Sequence, residues 1–526
     1  MLSGNTSAKN VFSRELLLIS AEIKDITEYT GNKWWHYVAS LGLPALLITP
    51  FIVHVGLFND DFGRAYFGAT RWNTDGRIFG EFLYRFAHLG SSRAVLEQPL
   101  GALVCLPLML AGGFFNALIF KRKSIFWPGI LAVLIFGQPY FLENLSYSFD
   151  APLMVTAVTM CLLASWLCTL PSRKIYTLVA GSLVTLSLLV YQPANNAFWI
   201  PASLLLISRI GASRKAENGA SDRGATVNII LKNIVFVELF SALLYKFIFT
   251  PFFRLSSYAE HVQKLPSSKE FLPSLLSNLK DFANHLIQDG ISSPLGITIS
   301  IYIIVSVLVI SANPNRTKGT IKLALMFGVL FFSQGLMLAL ALKSSPQRTF
   351  IGFGVFLAAI LPIAWISICE SRWGKSVKPI IRRVYNFSAS LLLWGLISCA
   401  FSYGSAFSSQ AALNEYYRQV ITNAILKNES YMLGRVNSMS ILGVSPSSLV
   451  VINTVKKYPF LNPMLGGFSG DFRGIDNFRE YGLALNRIAD SDSNISIVND
   501  DKSEIVLLRS GLEVSIIGDI VRVRFK

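Results

Sequence analysis

Two adjacent acids and a spaced series of arginines stand where the first long apolar run ends. The order is Asn59-Asp60-Asp61-Phe62-Gly63-Arg64, then Arg71-Trp72-Asn73-Thr74-Asp75-Gly76-Arg77. A carboxylate within hydrogen-bond reach of a hydroxyl takes its proton as that oxygen attacks an electrophilic carbon. A guanidinium matches a phosphate with parallel donors and keeps its charge. At a bilayer surface the combination points to substitution at a sugar carbon whose leaving group is a lipid-borne phosphate. That group departs as an anion and needs no proton. One base plus cations is then sufficient, unlike glycoside hydrolysis, which calls for two carboxyls. Either Asp60 or Asp61 fits the base, the other orienting or binding. The plainer alternative is local pairing, because Asp60 and Arg64, like Arg77 and Glu81, stand four residues apart. The position favours chemistry, since an aspartate at the edge of hydrocarbon is costly.

Arg64, Arg71 and Arg77 are the first candidates for a donor phosphate. Other polar turns lie between apolar runs and supply candidate sugar or acceptor ligands. Glu143-Asn144-Leu145-Ser146-Tyr147-Ser148-Phe149-Asp150 is one, Tyr191-Gln192-Pro193-Ala194-Asn195-Asn196 another, and Ser344-Ser345-Pro346-Gln347-Arg348 a third. Asn, Pro and Ser are ordinary turn formers, but Glu143 and Asp150 exceed what a turn needs, and Arg348 is a further phosphate candidate. Asn59, Trp72, Asp75, Glu81, Glu143, Tyr147, Asp150 and Gln192 make up the sugar and acceptor set. His54, inside the first run, reads as a hydrogen-bonded interior group. The five cysteines (Cys105, Cys161, Cys168, Cys369, Cys399) all lie in apolar runs and read as small buried hydrophobes with neither metal nor disulfide spacing. No metal site is expected, and no phosphate-binding glycine loop or dinucleotide fingerprint is present to support ATP or nicotinamide chemistry. No cofactor is expected.

The chain that carries these residues is 526 residues long, 52% hydrophobic and only 15% charged, with a mean hydropathy of +0.48. Soluble proteins carry roughly 25% charge, so this is a polytopic membrane protein. Apolar runs near 37–58, 98–120, 125–142, 151–170, 175–191, 196–209, 227–250, 291–312, 322–342, 349–369 and 386–407 give about eleven spans. The formal charge of +16 comes largely from short basic loops, which explains it without nucleic acid. Lys121–Lys123, Arg173-Lys174, Arg209–Arg223, Arg316–Lys322 and Arg372–Arg383 fall in alternate connections. Placed in the cytoplasm, they put the amino terminus inside and the tail outside. The loop 59–97 then faces out despite its five arginines (Arg64, Arg71, Arg77, Arg85, Arg93), which five acids accompany.

Residues 1–36 read as a cytoplasmic amphipathic segment, 37–407 as the membrane domain and 408–526 as a small outer α+β domain. In the tail, Gln410–Lys427 is expected to be helical. Ser448–Asn453, Ile495–Asn499, Glu504–Leu508, Glu513–Ile517 and Ile520–Phe525 are expected strands, with turns such as Ser510-Gly511 and Gly518-Asp519 between them. The tail's thirteen basic and twelve acidic residues nearly cancel, so its translocation meets no charge barrier.

The string Asn59-Asp60-Asp61, Arg64, Arg71-Trp72 and Gly76-Arg77, with the turn Glu143–Asp150, the pair Tyr191-Gln192 and the span count, resembles the GtrII-type glucosyltransferases, the serotype-converting enzymes that phages bring to enteric bacteria. The likeness covers roughly residues 37 to 370. It implies a C-type glycosyltransferase (GT-C) fold in the bacterial inner membrane, taking glucose from undecaprenyl-phosphate-glucose on the periplasmic side and adding it to a sugar of the O-antigen repeat of lipopolysaccharide, with inversion at the anomeric carbon. It assigns Asp60 or Asp61 as base and the arginines to the donor phosphate. It implies as partners the membrane lipids, the lipid-linked donor, the glycan acceptor, and a donor-synthesising glucosyltransferase and flippase acting upstream. The rival class is a flippase or transporter for a lipid-linked sugar. It is disfavoured because polarity gathers at the outer mouth instead of at the midplane. A membrane acyltransferase lacks its histidine base, and a scaffold leaves the acids and arginines unexplained.

Overall fold

The structure is a computed structural model. It describes residues 34–525 apart from 54–55, 123, 171–173, 211–219, 253–254, 313–315, 342–345, 371–375, 469–477, 479–480, 484, 488–503 and 510. The amphipathic segment 1–36 therefore lies almost wholly outside the described residues, as do His54, Ser344, Ser345 and the expected strand 495–499.

Each of the eleven apolar runs forms a helix. α1 (Trp34–Val53) ends just before the first outer loop. That loop folds into α2 (Asp60–Phe67), a 3-10 turn (Trp72–Asp75) and α3 (Ile78–Ala87). The bundle continues through α4 (Leu100–Ile119), α5 (Phe126–Phe136), the short α6 (Phe141–Ser146), α7 (Ala151–Thr169) and α8 (Lys174–Leu188). A 3-10 turn (Gln192–Asn195) leads to α9 (Asn196–Arg209) and α10 (Ala220–Leu243), which runs on as a wider helix to Phe249. Then come α11 (Ser257–Val262), α12 (Phe271–Ser292), α13 (Pro294–Ser311), α14 (Arg316–Phe331) and α15 (Ile351–Glu370). Apolar side chains of these helices form one continuous core, with α7 and α15 the most deeply enclosed of the spanning candidates.

Among the described residues six helices are long and apolar enough to cross a membrane: α4, α7, the stretch Val227–Phe252, α13, α15 and the last long helix. Six of the eleven expected spans thus meet length and composition on their own, and shorter apolar helices, Ser40–Val53, Phe126–Phe136 and Lys174–Leu188, accompany them. α5, with 11 residues, rises only about 17 Å against a hydrocarbon core of about 30 Å.

The last long helix, α16 (Val377–Leu426), has 50 residues and extends about 75 Å. The expected span at 386–407 and the expected helix at 410–427 are thus one element, because no Gly or Pro separates Phe407 from Leu426. Its far end carries the tail. α17 (Glu429–Met432), β1 (Ser438–Leu442), α18 (Leu449–Lys457), β2 (Asn486–Arg487), β3 (Glu504–Arg509), β4 (Leu512–Ile517) and β5 (Ile520–Phe525) follow. The sheet order is β2-β1-β5-β4-β3. β1 pairs in parallel with β2 and β5, and β3-β4-β5 form an antiparallel meander with Leu512 opposite Phe525. Met439, Ile441, Val514, Val521 and Val523 close over Ile421 and Ile425 of α16 in a second core. The expected strand at 448–453 is instead α18. Ser448 caps it by accepting from the Val451 N–H at 3.2 Å, and the β-branched run, which favours strands only where packing agrees, buries Val451 and Thr454 on one helical face.

Candidate active site

α2 begins with two acids in its first turn, where the helix dipole favours them. It stops at Gly68 (φ +62°), whose N–H bonds the Arg64 carbonyl at 2.8 Å, the left-handed helix end that glycine adopts without strain. Consecutive helical residues point about 100° apart, so the two acids part company. Asp61 turns inward and is fully buried. Its carboxylate accepts the backbone N–H groups of Ser148 (2.7 Å), Phe58 (3.2 Å) and Phe149 (3.4 Å), tying the first loop to the turn before α7. Burial, with the nearby charge of Asp150, pushes Asp61 up to about 7. The N–H bonds and Arg64 act against that rise without cancelling it. Asp60 remains partly exposed.

Arg64 also turns inward. Its guanidinium meets both Asp150 oxygens at 3.1 and 3.3 Å, donates to the Thr70 carbonyl, and lies 4.4 Å over the Trp72 ring. The Trp72 indole N–H also donates to Asp150. Burial alone raises the Asp150 carboxyl, but the charges of Arg64 and Arg77 and the indole N–H hold it below the usual range. Glu81 is buried and accepts from Thr70 Oγ1, from the Trp72 N–H at 3.1 Å and from Arg85 Nε at 3.0 Å. Asp61, Arg64, Trp72, Glu81 and Asp150 are therefore a buried frame. Arg64, expected to hold phosphate, gives its two Nη atoms to Thr70 and Asp150 and its planar face to Trp72, and its buried Nε has no hydrogen-bond partner among the described residues. Trp72, Glu81 and Asp150, expected to touch sugar, likewise face the interior.

Partly exposed Asn59, Asp60, Asp75, Arg77, Glu143, Gln192 and Arg348 form a rim beside this frame, packed on buried Tyr147, Asn144 and Tyr191. Asp60 acts electrostatically on Arg64, Arg348, Tyr147 and Asp75, which puts it amid the cations. Arg348 Nη1 bonds the Tyr147 hydroxyl at 2.5 Å and Glu143 at 3.2 Å. The Asn59 side-chain amide approaches the same hydroxyl at 3.5 Å. On the other side Arg77 stacks 5.2 Å over Tyr191, and its buried Nε has no hydrogen-bond partner among the described residues. Asn144 joins the halves: it accepts from the Tyr191 hydroxyl at 3.1 Å and donates to the Arg348 carbonyl at 2.9 Å. Arg71 is exposed at the start of the 3-10 turn.

Four polar turns that are distant in sequence thus meet at one end of the bundle. Sequence reasoning missed a fifth contributor, the segment after α10. Ser256 bonds Asp75 at 3.4 Å, Gln263 donates to the Asp75 carbonyl at 3.1 Å, and Gln192 donates to Tyr245 at 3.3 Å. Desolvation raises the Asp75 carboxyl, opposed chiefly by Arg77. Gly76 (φ +75°) permits this approach, since a Cβ there would lie 3.2 Å from both Leu255 and Tyr245. Tyr245, Ser256 and Gln263 stand in no motif that would have marked them. Also unforeseen was Glu238 within a spanning helix, held by the Asn195 amide at 3.1 and 3.4 Å.

The family model for the glucosyl transferase GtrII matches residues 49–363, a stretch that contains every turn of this rim. The chain belongs to the GtrII glucosyltransferase family. An uncharacterized 55.3 kDa protein in the gtrB 5' region of Salmonella phage P22 is 24% identical over 445 residues, 81% of this chain and 85% of the phage protein. No solved structure matches. GtrII membership supports a glucosyltransferase, with a sugar donor and an acceptor, over a flippase as the class of the chain. The match ends short of α16 and the tail, so the GtrII resemblance resides in the membrane bundle and its polar end.

Proposed function

We propose that the chain transfers glucose from undecaprenyl-phosphate-glucose to a sugar of the O-antigen repeat, at the periplasmic face of the inner membrane. Asp60 takes the proton of the acceptor hydroxyl as its oxygen attacks the anomeric carbon. The bond from that carbon to the phosphate oxygen breaks, the phosphate leaves as an anion, and configuration inverts. Arg77 and Arg348 hold the departing phosphate, with Arg71 at the exposed edge. Asn59, Asp75, Glu143, Tyr147 and Gln192 border the sugars. Asp61 and Arg64 keep α2 in place beneath.

One observation carries this reading: of the two adjacent acids, Asp61 is buried while Asp60 is partly exposed, within electrostatic reach of Arg348 and of Asp75 beside Arg77. Cations at a developing phosphate charge lower the barrier because they are in place before the charge forms. The basic connections at the opposite ends of the helices support a periplasmic rim. The GT-C architecture and the inner-membrane location follow from the same reading.

The test is purified protein in lipid nanodiscs with undecaprenyl-phosphate-glucose and lipid-linked O-antigen repeats. Release of undecaprenyl phosphate with glucosylated glycan is expected. Absence of transfer from this donor, with transfer from a nucleotide sugar instead, overturns it. A reporter fused after Lys526 is expected to report the periplasm.

A further inference from the structure

α3 has two unlike faces. Its inner face presents Glu81 and Tyr84, both buried; Tyr84 packs on Trp72 at 4.8 Å between ring centres, and Glu81 holds the Trp72 N–H. Its outer face carries Phe79, Phe82 and Phe86, three and four residues apart, stacked at 5.7 and 6.1 Å. Phe82 is 56% exposed, Phe86 73%, and Leu89 just beyond the helix 98%. Phe79 packs against the bundle core, and Phe82, Phe86 and Leu89 are left exposed. A solvated loop has no use for three such groups in line, since large exposed apolar patches mark an interaction surface.

The chain itself indicates the occupant. The loop leads directly into α4, a helix long and apolar enough to span, whose first turns expose Leu100 and Leu103. Along the chain the exposed apolar residues run on from Phe82, Phe86 and Leu89 through Val95 and Leu96 to Leu100 and Leu103. Arg85, on the same helix, is exposed and reaches back to Glu81 at 2.8 Å. We infer that α3 lies in the outer leaflet as an interfacial helix, with its phenylalanines among the acyl chains, so that the membrane itself holds the loop carrying Arg71, Asp75 and Arg77. An apolar face rich in Phe and Leu beside a polar face is what such helices bury in the headgroup and acyl boundary. Through Glu81 and Trp72, the depth of α3 sets the depth of the 3-10 turn. On the proposed donor chemistry, that is the depth of a lipid phosphate.

The experiment uses the full chain in nanodiscs. Among the described residues Cys369 is the one exposed cysteine, so spin labels are attached to Phe82→Cys, Phe86→Cys and Leu89→Cys in a Cys369→Ala background. Exposed Asn73→Cys serves as the aqueous control. Collisions with oxygen are expected to exceed those with a water-soluble nickel chelate at 82, 86 and 89, and to reverse at 73. Nickel collisions dominating at 82 and 86 would overturn the inference. So would labels reached by neither agent in particles that light scattering shows to hold two copies, since a second copy would then be the occupant. This readout needs no sugar transfer, so it stands or falls apart from the proposed activity. Phe82→Ser with Phe86→Ser is then expected to raise the KM for the lipid donor about tenfold, equivalent to one phenyl ring's burial; an unchanged KM would overturn the positioning role.

Discussion

Replacing Arg64 separates a framework role from a substrate role. The Arg64 and Asp150 side chains are 9% and 4% exposed and 3.1 Å apart. Arg64→Ala leaves Asp150 buried without its cation and removes the plane over Trp72. Breaking a buried pair from one side costs about 3–5 kcal/mol. Arg64→Lys keeps the charge but loses the fork that reaches both Thr70 and Asp150, at about 1.5–3 kcal/mol for a charged hydrogen bond. Adding Asp150→Asn to Arg64→Ala removes the orphaned charge, so the double variant is expected to lose less than the sum of the singles. The assay is equilibrium unfolding of purified protein in mixed micelles, with donor KM measured on the folded fraction. The expected order of stability is wild type, Arg64→Lys, Arg64→Ala. Arg64→Ala with wild-type stability and only a raised donor KM would refute the framework reading and return Arg64 to the phosphate.

Asp61 makes stability depend on pH. Its carboxyl is raised to about 7 in the folded chain against about 3.9 unfolded. Between those values the folded state holds a proton that the unfolded state has released, so stability falls as pH rises from about 4 to about 7, by an amount on the order of 4 kcal/mol. Asp61→Asn is expected to flatten that slope in pH-dependent unfolding; an undiminished slope would contradict it. Arg77→Lys and Arg348→Lys are expected to lower kcat/KM for the donor about 10- to 100-fold at unchanged fold, because a lysine cannot supply parallel donors. Equal donor use by all three proteins would remove both residues from the phosphate. Asp150, held below the usual range by Arg64, Arg77 and Trp72, is expected to lend constant stability from about pH 5 upward. That constancy is measurable in the Asp61→Asn background, and a loss there above pH 5 would count against it.

The helices were legible because apolar runs in this chain are long and sharply bounded by charge. Their lengths were not, since a run's end in sequence does not reveal how many residues stay helical, as α5 shows. In the tail, β3, β4 and β5 followed from alternation and turn residues. α18 did not, because Val450, Val451 and Ile452 look like a strand until Ser448 caps them. At the candidate site, the sequence pointed to turns that the fold brings together but not to which of their residues are buried. Asp60 and Asp61 are chemically identical, and only the helical rotation between them buries one. Arg64 looked like Arg77, yet its partner Asp150 lies 86 residues away. Tyr245 came to Gln192, and Ser256 and Gln263 to Asp75, by chain folding alone.

The most direct measurement is single-turnover glucose transfer by Asp60→Asn, in the same nanodisc preparation as wild type and with donor binding measured in parallel. Loss of a general base predicts transfer slower by about 10²- to 10⁴-fold with donor affinity retained. Transfer at the wild-type rate would contradict the assignment of Asp60 as the base.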